Sequence, residues 1–166
     1  MELAQRLEIP MERQLVWDAL NDPEVLKQCL PGCQRFEAAA EDCFEITVQA
    51  KVGPVKEVFK GDVRLTDMDP PRAYQISGQG QGGVAGFAKG SAQVALESAG
   101  TASNPATIMT YSVNATVGGK LAQVGGRLIN GAARKIAQEF FRNFVGNVCN
   151  QEALDITIET IEIKEN

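Results

Sequence analysis

Glu57, Tyr74 and Tyr111 are the residues of this chain best suited to moving a proton. Glu57 falls within "PVKEVFKGDVRLTD", where alternation puts it on the same side as Val55, Phe59 and Val63. A carboxyl facing an apolar interior has its pKa raised and can serve as acid or base. The bland alternative is a strand-end residue at the rim, paired or solvated, which is where most carboxylates lie. Tyr74 and Tyr111 divide in the same way, into proton donors or lining of a core or cavity. Nucleophilic chemistry is harder to build. The chain has no histidine among its 166 residues, so a Ser-His or Cys-His pair is excluded. Its four cysteines, Cys29, Cys33, Cys43 and Cys149, form no CxxC pair. Without histidine they read as free thiols in a reducing compartment and not as a zinc site.

The stretch "SGQGQGGVAGFAKGSA" (77–92) invites a phosphate-binding interpretation. Its "GQGQGG" fits GxGxxG on the surface, but it lies between strands with no helix after it. The segment also lacks the GK[ST] ending of a P-loop. Two readings remain: a flexible hairpin, or a mobile gate with Phe87 and Lys89 at its tip over a cavity mouth.

The elements that must position these residues follow from periodicity. "ELAQRLEI" alternates as a strand, and "PMERQLVWDAL" is a short helix with Met11, Leu15 and Ala19 on one face. "DPEVLKQCL" is a second short helix, with Asp22 as N-cap and Pro23 in its first turn. Strands follow at "CFEITVQAKV", "PVKEVFKGDVRLTD", "AYQISGQGQ", "FAKGSAQVALES" and "TIMTYSVNATV", separated by turn signals, so an antiparallel meander is expected. About six strands are expected between the short helices and the long one, so with the first the sheet should hold about seven.

The longest helix comes last, in "VGGKLAQVGGRLINGAARKIAQEFFRNFV" (117–145), although glycine fills five of its first fifteen positions. Each interior glycine weakens a helix by roughly 0.5–1 kcal/mol relative to alanine. Read as one helix, it carries Leu121, Gly125, Leu128, Ala132 and Ile136 on a single stripe. Lys120, Gln123, Arg127, Asn130, Arg134, Gln138 and Arg142 gather on the opposite side. The first half of the apolar face is small and the second half large. The strands carry a matching pattern, with Gly61, Gly78, Gly80, Ala88, Gly90 and Ala92 all small on the inward parity. Interiors pack to a density near ~0.74, so two small surfaces facing each other mean close backbone approach or an unfilled apolar space.

Composition bounds the rest. With 44% hydrophobic and 22% charged residues the chain reads as one globular domain, and no apolar run approaches the ~18 residues needed to span a bilayer. The N-terminus has no signal-peptide pattern, so a cytoplasmic protein is expected. The net charge of −5 is unevenly spread: residues 118–149 carry five bases and one acid, whereas residues 150–166 carry five acids and one lysine. A basic helix in an acidic protein argues against nucleic-acid binding and leaves a local anionic contact open. The tail "ITIETIEIKEN" alternates isoleucines and reads as an edge strand, a partner-ordered segment or a floppy acidic end. The expected domains are therefore a ligand-binding unit over 1–149 and an acidic tail over 150–166.

The strings "DPEVLKQCLPGC", "AKVGPVK", "FKGDVRLTDMDPP", "GGVAGFAKGSA" and "VGGKLAQVGGRLINGAARKIAQEFF" resemble the small accessory G-subunit family of carbon monoxide dehydrogenase, from residue 1 to about 149. The resemblance implies an α+β, START-like helix-grip fold: a curved antiparallel sheet around a long C-terminal helix, with two short helices after the first strand and an apolar cavity between. It implies a non-catalytic role beside a molybdenum hydroxylase, either carbon monoxide dehydrogenase or a relative, and recruitment of that enzyme to the membrane. A quinone is the ligand such a redox partner would suggest. No metal or covalent cofactor is expected. The residues expected around the ligand are Phe59, Tyr74, Phe87, Tyr111, Leu121, Gly125, Leu128 and Ala132. Many relatives continue into a hydrophobic C-terminal segment, whereas the acidic tail here is poorly suited to anchoring. Two other readings compete: a cyclase- or dehydratase-type enzyme using Glu57 and a tyrosine, and a docking protein with a filled core.

Overall fold

The computed structural model describes residues 1–149 and 157–164. The chain begins with β1 (Glu2–Ile9), followed by α1 (Arg13–Leu20) and α2 (Pro23–Cys29). A meander then runs through β2 (Cys33–Ala40), β3 (Cys43–Val52), β4 (Val55–Asp69), β5 (Ala73–Gln81), β6 (Phe87–Gly100) and β7 (Pro105–Gly118). A short α3 (Lys120–Gln123) precedes the long α4 (Gly126–Val148), and β8 (Ile158–Lys164) comes last. The strands form one curved antiparallel sheet in the order β2-β3-β4-β5-β6-β7-β1-β8, so each hairpin of the meander pairs with the next. β1 closes the order by pairing with β7, and β8 lies on its other side. This is the helix-grip arrangement that the resemblance implies.

Local sequence explains most boundaries. Asp22 accepts a hydrogen bond from the Glu24 N–H at 3.0 Å and Pro23 opens α2, so an orphan donor is satisfied where proline has none to lose. In β1 the inward residues Leu3, Gln5, Leu7 and Ile9 are all buried. The expected face of α1 is corrected: Leu15 is 52% exposed, while Val16, Trp17, Ala19 and Leu20 are buried. The helix starts at Arg13, and the bulkier Val16–Leu20 pair with Trp17 turns inward. The sheet has eight strands where about seven were expected. The difference includes β2, which carries no readable alternation because only Phe36 of its residues is buried.

The largest correction concerns the long helix. It is not continuous over 117–145 but breaks at Gly125, which has φ 90° and ψ 155°. That conformation is open to glycine almost alone. The break separates Leu121 from the phase of α4, and the stripe drawn through Gly125 and Leu128 is not the buried one, since Leu128 is 47% exposed. The buried residues of α4 are Asn130, Phe141, Phe144 and Val145.

The core fills the end of the sheet nearest α1 and α2. Phe144, Ile9, Val16 and Cys29 are sealed there, and Trp17 meets Tyr74 edge-on at 5.1 Å between ring centres. Phe141 stacks on Tyr111 at 5.6 Å. The Asn143 side-chain amide donates to the Cys29 carbonyl at 3.0 Å, pinning the second half of α4 to the end of α2. The first half of α4 has no such filling beneath it.

Candidate ligand-binding cavity

Between the first half of α4 and the sheet lies a hollow of about 430 Å³ with almost wholly apolar walls. Ala132, Ala133, Ile129 and Ile136 form its helical side, and Leu121 of α3 closes over it. Phe59, Val63, Ile76 and Val113 stand on the sheet side, around a floor of Gly78, Gly80, Ala88, Gly90 and Ala92. The registers explain that floor: Gly78 pairs with Gly90 and Gly80 with Ala88, so small residues sit side by side across β5 and β6. A Cβ added at Gly80 would make only ordinary contact, 3.6 Å from the Phe59 Cβ. Gly61 and Gly90 differ, because a Cβ there would drive into the Gln79 and the Asn114 carbonyl respectively. Some of the small residues therefore leave space and others let strands approach.

Of the residues expected around a ligand, the structure brings Phe59, Leu121 and Ala132 to the hollow. It places five elsewhere. Tyr74 and Tyr111 share the inward parity but lie two residues before Ile76 and Val113 on their strands, in the packed core. Phe87 opens β6 on the parity of Lys89, opposite to Ala88 and Gly90, and lies against Gly118. It therefore sits on the outer face, and the gate expected at Phe87 and Lys89 is corrected. The turn between β5 and β6 is instead Gly83–Ala85, with Val84 78% exposed at its tip. Gly125 forms the helix break, and Leu128 is 47% exposed beside Gly53 of the β3–β4 turn.

The proton-transfer candidates do not converge. Glu57 lies beyond Phe59, next to Gly82, and its carboxylate accepts from the Val58 N–H at 3.0 Å. Tyr111 donates to Gln5 Oε1 in the core, and burial pushes both tyrosine hydroxyls well above the usual phenol range. The cysteines are free; burial raises the thiol pKa of Cys29, Cys33 and Cys149. Lys120, Arg127, Arg134, Lys135 and Arg142 are all exposed, and none joins an ion pair among the described residues. Among those residues no helix is long and apolar enough to cross a membrane.

The CoxG family model, which describes the G subunit of carbon monoxide dehydrogenase, matches residues 6–149. The chain belongs to the CoxG family. Among solved structures, this CoxG-family chain is similar to a conserved protein from Geobacillus kaustophilus, with 26% identity and a TM-score of 0.83. That alignment covers 96% of this chain and 99% of the other. A START superfamily protein from Mycobacterium smegmatis matches at 14% identity and a TM-score of 0.67, covering 90% and 97% of the two chains. The ZhuI aromatase/cyclase from Streptomyces sp. R1128 matches at 10% identity and a TM-score of 0.60, covering 90% and 94%. At such identities these last two similarities establish the fold alone. No match to a curated protein was found. The CoxG family and the START-like fold support a ligand-binding accessory role.

Proposed function

We propose that this CoxG-family protein is a non-catalytic carrier of a small apolar molecule, working beside a molybdenum hydroxylase of the carbon monoxide dehydrogenase type. One observation carries the reading: a hollow of about 430 Å³ whose walls are apolar and toward which no acid–base pair converges. Its size lies within the range of small-molecule sites, which are typically ~300–1,000 Å³. The enzyme reading would need Glu57 and a tyrosine together in that hollow. The filled-core reading would need no hollow.

A quinone fits this role on chemical grounds. It is apolar, and it accepts the electrons that a molybdenum hydroxylase must pass on. The test is native mass spectrometry with lipid identification on protein purified from its own host. The expected result is one apolar molecule per chain and an isoprenoid quinone in the solvent extract. Protein that carries no lipid and shows no affinity for quinones would overturn the carrier reading.

On this reading the protein works at the cytoplasmic face of the membrane. The bases of α3 and α4, unpaired among the described residues, flank the exposed Leu128 and Ile136, so basic and apolar groups lie together near the hollow. Each base near an anionic lipid surface contributes about 1 kcal/mol, and the attraction is screened by salt. Flotation with vesicles should therefore require anionic lipid and fall as salt rises. Binding that ignores both would rule this contact out.

A further inference from the structure

The described residues include three buried polar side chains, Gln5, Thr107 and Asn130. Two are fully accounted for. The Gln5 amide donates to Thr160 Oγ1 at 3.1 Å and accepts from Tyr111, while the Thr107 hydroxyl donates to the Met11 carbonyl at 2.7 Å. Asn130 is 2% exposed, yet neither its Nδ2 nor its Oδ1 finds a partner among the described residues. A buried amide with both ends unmet is costly and rare in native structures. It does not cap α4, whose N-cap is Gly125, more than a turn away.

Its place on the helix supplies a reason. Ile129, Ala132, Ala133 and Ile136 all face the hollow. Asn130 follows the first of these directly and stands one turn before Ala133. It lies on the line of the core stripe of Ala137, Phe141 and Phe144, about 60° around the helix from Ala133. Side-chain rotamers are separated by about 120°, so the amide has other staggered positions to adopt beside the cavity-lining Ala133. Among the described residues no hydrogen bond holds it where it is, so none breaks when it turns.

We propose that Asn130 is the specificity residue of the cavity, binding the oxygen of an apolar ligand that carries a carbonyl or hydroxyl group. The inference rests on the carrier reading above and adds the ligand's polar handle. Nδ2 donates to a carbonyl and Oδ1 accepts from a hydroxyl, so one residue serves both the quinone and the hydroquinone form of a ring. The amide is neutral, so it offers nothing to offset the desolvation of an ionised head group.

The test compares a dimethylnaphthoquinone, both reactive ring carbons blocked against the free thiols, with the matching dimethylnaphthalene. Binding of each is measured by equilibrium dialysis to the full chain and to Asn130→Leu. The wild type should prefer the quinone by roughly tenfold, the worth of one good hydrogen bond. Asn130→Leu should lose that preference, bind the hydrocarbon as before and melt no lower than wild type. The infrared carbonyl stretch of the bound quinone should shift down in the wild type and recover in the variant. A preference that survives in Asn130→Leu, or is missing from the wild type, overturns the role of Asn130 and leaves the carrier intact. A variant that melts well below wild type shows a structural amide and overturns it equally. If the wild type binds neither probe, the carrier reading itself falls.

Discussion

The Tyr111 hydroxyl donates to Gln5 Oε1 across the β7–β1 pair, and Gln5 in turn donates to Thr160 of β8. The tyrosine that sequence offers as a proton donor is thus the inner end of a buried chain tying the tail strand to the core. Tyr111→Phe leaves the Gln5 acceptor unmet and should destabilise the protein by about 1–3 kcal/mol. Uptake of an apolar probe by the folded variant should be unchanged. Chemical denaturation and probe binding check the two halves, and loss of binding with stability intact would contradict this assignment.

Burial holds both tyrosines protonated, raising them above the ordinary phenol value of 10.0. In the unfolded chain they ionise at the ordinary value, so above it the unfolded state binds fewer protons. This contribution to stability is therefore whole below pH 10 and is lost as pH climbs further. The chain's two tyrosines should show no tyrosinate absorbance near pH 10 while folded. Absorbance should then rise together with loss of the fold, as followed by circular dichroism.

Ala132 lines the hollow, and Gly80 opposite it has room for a side chain. Ala132→Leu should fill space and not create strain, stabilising the fold by up to about 2 kcal/mol while excluding an apolar probe. Gly90→Ala should do the reverse, because its Cβ would meet the Asn114 carbonyl and stand 3.0 Å from the Ala115 Cα. A cost of about 1–3 kcal/mol is expected there. Thermal melts with and without a fluorescent apolar probe separate the two outcomes.

A Cβ at Gly125 would meet nothing within 4 Å, so a larger residue there neither plugs the hollow nor clashes. The only penalty is conformational. Gly125→Ala should cost about 1–3 kcal/mol if the break persists. Otherwise α3 and α4 join into one helix, and far-ultraviolet circular dichroism should then show added helical signal.

Several of these features were legible in the residues. Alternation revealed five of the meander strands, and the facing small residues of β5, β6 and α4 announced the hollow before its position was known. Asn130 was not legible, because taking the stripe through Leu121, Gly125 and Leu128 as the buried face puts it on the opposite, basic side. Within α4 it stands 7, 11 and 14 residues before Ala137, Phe141 and Phe144, which puts it on their side of the helix.

What the sequence determined by itself is which side of each strand faces inward, and that α4 has a small half and a large half. Parity repeats every two residues and holds along a whole strand, so it says nothing of where the core stops. Only the tertiary structure decided that Ile76 and Val113 line a hollow while Tyr74 and Tyr111, two residues away, are packed. The boundary is drawn by other elements: Phe141 and Phe144 of α4 with Trp17 of α1 fill one end, and Ala132 and Ala133 leave the other open. The phase of α4 was likewise a tertiary outcome, since one glycine's backbone angle separates it from the residues before it.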